Sequence, residues 1–156
     1  MKLVLMVDRP TPSNNDLINR VRGRLHYRIV RKQWLTWIGH AYLAARAEAG
    51  RREIWPRPPR QPVRVTFERF SRMADALDRE NMAGGCKPAL DALVKLQLID
   101  DDHSRPVSTR RRKPGAAPAR HGIEPVFLQP KNPYSQPRAW TRITLEAIEP
   151  DGGAHA

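Results

Sequence analysis

Hydrophobic positions recur along this chain with two different periods. Val63, Val65 and Phe67 alternate with Arg64, Thr66 and Glu68, the period-two pattern of a half-buried strand. Thr141, Ile143, Leu145 and Ala147 alternate with Arg142, Thr144 and Glu146, which predicts a last strand. The opening run 1–7 is apolar apart from Lys2 and is cut off by Asp8 and Arg9. It is too short for a signal peptide or a membrane span and reads as a first strand. The helical period appears at Trp34, Ile38, Ala41, Tyr42 and Ala45, which share one face of a helix predicted over about 27–49, with Gly50 as its stop. Leu90, Leu93, Val94 and Leu96 mark a second, shorter helix. Pro88 is tolerated only in a first turn, so this helix is expected to start near Cys86, after Gly84 and Gly85. A kinked helix from about Asn81 fits the same residues.

The segments between these elements carry the signals of turns and linkers. Residues 10–15 form a Pro/Ser/Asn turn cluster, and 55–60, with three prolines, read as a stiff extended linker. From 103 to 137 the chain is rich in proline and arginine, a composition unsuited to packing a core. A mobile insertion over about 104–138 that orders on DNA is expected, with a disordered tail at 151–156. No internal repeat is present. The fold class predicted is α/β (α+β): one domain over 1–150, a small mixed β-sheet with two main helices.

Composition narrows the function. A chain of 156 residues suffices for one core. Its single cysteine, Cys86, excludes an intramolecular disulfide and a cysteine-built zinc site. No segment reaches transmembrane length, so a cytoplasmic protein with no membrane partner is expected. The net charge of +12 and a pI near 11.0 point to nucleic acid ahead of an anionic membrane. Such an excess sets affinity and its salt dependence, and leaves sequence preference open.

One stretch reverses the sign. Residues 75–102 hold seven acids against three bases, in a chain that is otherwise strongly basic. An acidic patch repels the polyanion that the rest of the surface attracts, unless a divalent cation sits between carboxylates and phosphate. Phosphodiester hydrolysis needs such a cation for charge neutralisation and for an activated water. Asp78 and Glu80, two apart on an extended chain, would point the same way. Asp101 or Asp102, just past the second helix, would return to the same ion. Lys87 and Asp91, at i and i+4, are neighbours on one helix face, and the lysine would stabilise charge on the phosphate or orient the water. Each residue also has a plainer role: Asp78 as a helix cap, Lys87–Asp91 as a surface pair, and 100–102 as a solvated turn. By spacing alone the two readings are even. Cys86 reads as a packed small residue rather than a reactive thiol.

The pattern Asp78-Arg79-Glu80-Asn81-Met82, then Lys87, Asp91 and Ile99-Asp100-Asp101-Asp102, resembles the centre of the RusA family of Holliday junction resolvases and its phage-borne relatives. Pro12-Ser13-Asn14-Asn15 and Arg22-Gly23-Arg24 resemble the family's amino-terminal segments. The resemblance covers most of 1–103 and 140–148. It implies a magnesium-dependent endodeoxyribonuclease, a homodimer, that resolves four-way or other branched DNA by paired nicks. By the same resemblance Asp78, Glu80 and either Asp102 or Asp101 are metal ligands and Lys87 is the essential lysine; Glu80 stands where aspartate is usual. Asn14, Asn15, Arg22, Arg24, Arg110, Arg111, Arg112 and Lys113 are candidate DNA contacts. The alternative from another class is a non-catalytic basic protein that binds DNA structure on the same scaffold.

Overall fold

The computed structural model describes residues 1–17, 23–71, 76–104, 121–130 and 139–149, with the backbone alone at 23–25. Four strands, β1 (Lys2–Val7), β2 (Val63–Phe70), β3 (Ile123–Leu128) and β4 (Trp140–Ala147), form one sheet in the order β1-β4-β2-β3. β4 runs antiparallel to both β1 and β2, while β2 and β3 are parallel. The helices are α1 (Asn14–Leu17), α2 (Gly23–Ala49), α3 (Arg79–Gly85) and α4 (Lys87–Lys95). This is the small mixed α/β fold expected, with α2 and α4 as its main helices. None of the described helices is long and apolar enough to cross a membrane.

Period two and period 3.6 meet at the core. Leu3, Leu5 and Val7 from β1, Val63, Val65 and Phe67 from β2, and Ile143 and Leu145 from β4 are buried on one face of the sheet. Trp34, Ile38 and Tyr42 of α2 and Ala89, Leu90 and Leu93 of α4 belong to the same cluster. The opposite sheet face is mixed: Arg142 grips Glu68 through two bonds of 2.5 and 2.9 Å, beside the exposed Val4 and Met6. The 55–60 segment is more than a spacer. Trp55 is buried and its indole N–H donates to the Leu98 carbonyl at 2.8 Å, tying the segment to the end of α4.

β3 corrects the expectation of a mobile arm. Residues 123–128 fall inside the supposed insertion, yet they pair with β2 from Val63↔Ile123 to Glu68↔Leu128. Ile123 is buried, and Phe127 stacks on Phe67 with centroids 5.9 Å apart. Proline composition masked this strand, because Pro125 cannot donate to a ladder; an edge position needs no bond on its outer side. The rest of the expected insertion, 105–120 and 131–138, and the tail lie outside the described residues.

Two local devices position the site. At the end of α4, Gln97 takes a left-handed φ of 58°, Leu98 N–H donates to Leu93 O at 2.9 Å and Gln97 N–H to Val94 O at 3.0 Å. This Schellman reversal, with Leu93 and Leu98 both buried, turns the chain back along the helix. From Lys87 to Leu96 the helix rises about 13 Å, and the contact of Lys87 with Asp102 shows that the chain after Gln97 covers that length in return. The aspartates after Ile99 therefore return to the start of α4. The second device is the Gly84–Gly85 pair. A Cβ on Gly85 would meet the Pro12 carbonyl oxygen at 1.7 Å, and one on Gly84 would meet the Asn14 side chain at 2.4 Å. Only glycine lets the 12–14 turn lie this close to α3.

Candidate active site

Asp100, Asp101 and Asp102 are sorted into different roles. Asp100 accepts from the His121 N–H at 2.7 Å and fixes the entry to β3. Asp101 accepts from the backbone N–H of His103 at 3.2 Å and from its ring Nδ1–H. Asp102 takes the ammonium of Lys87, which also holds Asp91 at 3.0 Å. Asp91 in turn accepts a 2.7 Å hydrogen bond from the phenol of Tyr27 on α2. A chain of polar contacts thus runs Tyr27–Asp91–Lys87–Asp102 at the amino end of α4.

The electrostatics follow. Burial works against charge on Lys87, but its bonds to Asp102 and Asp91 outweigh it and raise its pKa. The amine is therefore an ammonium at neutral pH and can donate, not act as a base. Burial also drives the Tyr27 phenol well above its ordinary range, assisted by the hydrogen bond to Asp91, so it stays a neutral donor. Burial acts to raise the Asp101 carboxyl, but the His103 bond prevails and holds it below the usual range. His103 is raised through the same bond, then by the charges of Asp101 and Asp102. Cys86, directly before Lys87, is buried and its thiol is pushed up to about 12, which leaves it protonated and unreactive.

Asp101, Asp102 and His103 each offer a ligand atom within 4.8 Å of the others, the one such group of three among the described residues. Two carboxylates suit magnesium, which takes oxygen donors and keeps waters; the imidazole would favour manganese or zinc. A cleft of about 230 Å³ between α2 and α4, lined by Arg31, Lys32 and Lys95, adjoins Asp91. Acid and base are therefore side by side, as a bridged phosphate requires.

Asp78 and Glu80 lie outside that group, and their local structure differs from expectation. The chain is helical, not extended, from Arg79. Asp78 is the N-cap, accepting from the Asn81 N–H at 2.9 Å and from its side-chain amide at 2.7 Å. Those two bonds, the backbone one foremost, lower its pKa. Glu80 is exposed in the first turn, and two residues of a helix turn point apart. Leu77 is tied to Gln129 just past β3, whereas the His103 carbonyl accepts from Ile123 at its start. The two acidic stations thus stand toward opposite ends of β3, a strand about 20 Å long.

Of the candidate DNA contacts, Asn14 packs against Gly84 and Asn15 is exposed at the start of α1. The Arg24 side chain, Arg22, Arg110, Arg111, Arg112 and Lys113 lie outside the described residues. Sequence reasoning missed Tyr27 and His103. No local signal links Tyr27 to Asp91, since packing of α2 on α4 brings them together. His103 was legible as the next residue after three aspartates. No protein-family model matches the chain, and no curated protein matches it. The resemblance to RusA resolvases therefore rests on the motif residues themselves.

Proposed function

We propose that the protein is a magnesium-dependent endodeoxyribonuclease acting on four-way or other branched DNA. The observation that carries this reading is the contact of Lys87 with Asp102 and Asp91, beside a three-ligand cluster, in a chain of net charge +12. Asp101 and Asp102 would hold the ion, with His103 in reach of the same position. Bound there, magnesium supplies neutralisation of the phosphate charge and an acidified water. Lys87, kept cationic by its two carboxylates, donates to a non-bridging phosphate oxygen as charge builds. Asp91 and Tyr27 orient the lysine, and the basic cleft beside them receives the flanking backbone. A homodimer suits the substrate, because two sites related by a twofold meet two symmetry-related strands.

The resemblance also assigns Asp78 and Glu80 to the metal. Asp78→Asn separates the two duties of that residue, since asparagine caps a helix as well as aspartate but carries no charge. The test is cleavage of a synthetic four-way junction beside linear duplex of the same sequence, with and without magnesium, by wild type and Asp78→Asn. Paired nicks on the junction that need magnesium are expected; their loss in Asp78→Asn at unchanged Tm would bring Asp78 to the metal, and their retention would leave it the cap of α3 alone. The second reading, a non-catalytic binder of branched DNA, draws on Asp78 being occupied as a cap. Tight junction binding without nicks in either magnesium or manganese would establish it instead.

A further inference from the structure

At the carboxyl end of α2 lies a second basic feature, separate from the Lys87 site. Arg46, Arg51, Arg52 and Arg57 line a cleft of about 600 Å³ together with Glu53 and Tyr42. All four arginines are exposed, and no carboxylate pairs with any of them among the described residues. Arg57 is already held in place: its Nε donates to the Leu96 carbonyl at 2.9 Å and its guanidinium lies 5.0 Å from the centroid of the Tyr42 ring. Complementing the helix dipole explains Arg46, which is in the last turn of α2. It does not explain the other three, because a helix end carries only about half a negative charge. Four guanidiniums around one cleft repel one another unless an anion comes between them, and arginine's planar fork matches phosphate oxygens two at a time.

We infer that this cleft binds the sugar-phosphate backbone of a DNA arm at a distance from the reacting phosphate. The inference rests on the DNA-directed reading above. Arg46 lies 19 residues beyond Tyr27 on the same helix, about 28 Å at 1.5 Å per residue. Arg57, in the same cleft, is held at Leu96, about 13 Å along α4 from Lys87, so the cleft begins about four and ends about eight base pairs from the site at 3.4 Å each. A duplex entering the Lys87 site would reach the cleft within one helical turn, and contact there would fix the arm's direction.

The test is anisotropy titration of a labelled four-way junction across a series of salt concentrations without divalent metal. It compares wild type, R51Q/R52Q, and K2Q as a control that removes one charge from the sheet. Losing two phosphate contacts should lower the slope of log K against log salt by about 2 and weaken binding about tenfold or more. K2Q should leave the slope near wild type. With magnesium, wild type is also assayed for nicking of the same junction. A wild-type slope in R51Q/R52Q would overturn the cleft and leave the nuclease reading standing. A wild type that never nicks, but whose slope falls on R51Q/R52Q, would overturn the nuclease reading and leave the cleft.

Discussion

The phenol of Tyr27 donates a 2.7 Å hydrogen bond to Asp91, sixty-four residues away, and Asp91 holds the ammonium of Lys87 at 3.0 Å. Tyr27 itself does not touch Lys87 in this chain of contacts; its effect passes through the carboxylate. Tyr27→Phe removes the donor and little volume. A positioning role predicts a fall of about tenfold in the single-turnover nicking rate, with DNA affinity unchanged. A purely structural role would lower stability by about 1–2 kcal/mol and leave the rate of the folded protein alone.

The Gly84–Gly85 pair makes a separate claim about packing. Gly85→Ala drives a methyl into the Pro12 backbone, which cannot move as a side-chain tip would. The expected loss is about 2 kcal/mol, or roughly 4–8 °C in Tm. Gly84→Ala meets only the Asn14 side chain and should cost less. Thermal unfolding of the two variants gives the comparison directly.

Acid should weaken the sheet through Glu68. Its hydrogen bonds to Arg142 depress its pKa, against the opposing effect of burial. A depressed carboxyl contributes stability that is present above the unfolded value of about 4.3 and is lost as pH falls through the folded value. Arg142 remains partly exposed, so solvent screening limits the pair to about 1 kcal/mol. Glu68→Gln should therefore be less stable than wild type at pH 7, and the gap should be smaller at pH 3. Urea melts at the two pH values measure it.

Much of the fold was legible because its signals are local. β1, β2 and β4 follow from short apolar or alternating runs, and the Trp34, Ile38 and Tyr42 stripe named the buried face of α2. Helix α2 begins at Gly23 rather than near 27, and α3 precedes α4 across a break at Cys86, close to the kinked alternative. β3 was hidden because Pro125 and the surrounding arginines argue for a coil, while an edge strand beside Phe67 tolerates both. At the site, Lys87–Asp91 followed from helical spacing. Its union with Asp102 needed a Schellman turn at Gln97, a non-glycine residue with positive φ that no turn signal in the sequence announces. At Asp78 and Glu80 the extended geometry gives way to the plainer of the two readings, a cap and a first turn, because two acids before a helix fit both patterns.

The nuclease we propose is centred on Asp102 and Lys87. It is tested most directly by single-turnover nicking of a four-way junction in magnesium by wild type and Asp102→Asn. Paired nicks by wild type, slowed at least about a hundredfold in a variant that still folds and binds the junction, are predicted. Nicking by Asp102→Asn at the wild-type rate, or no nicking by wild type, would contradict it.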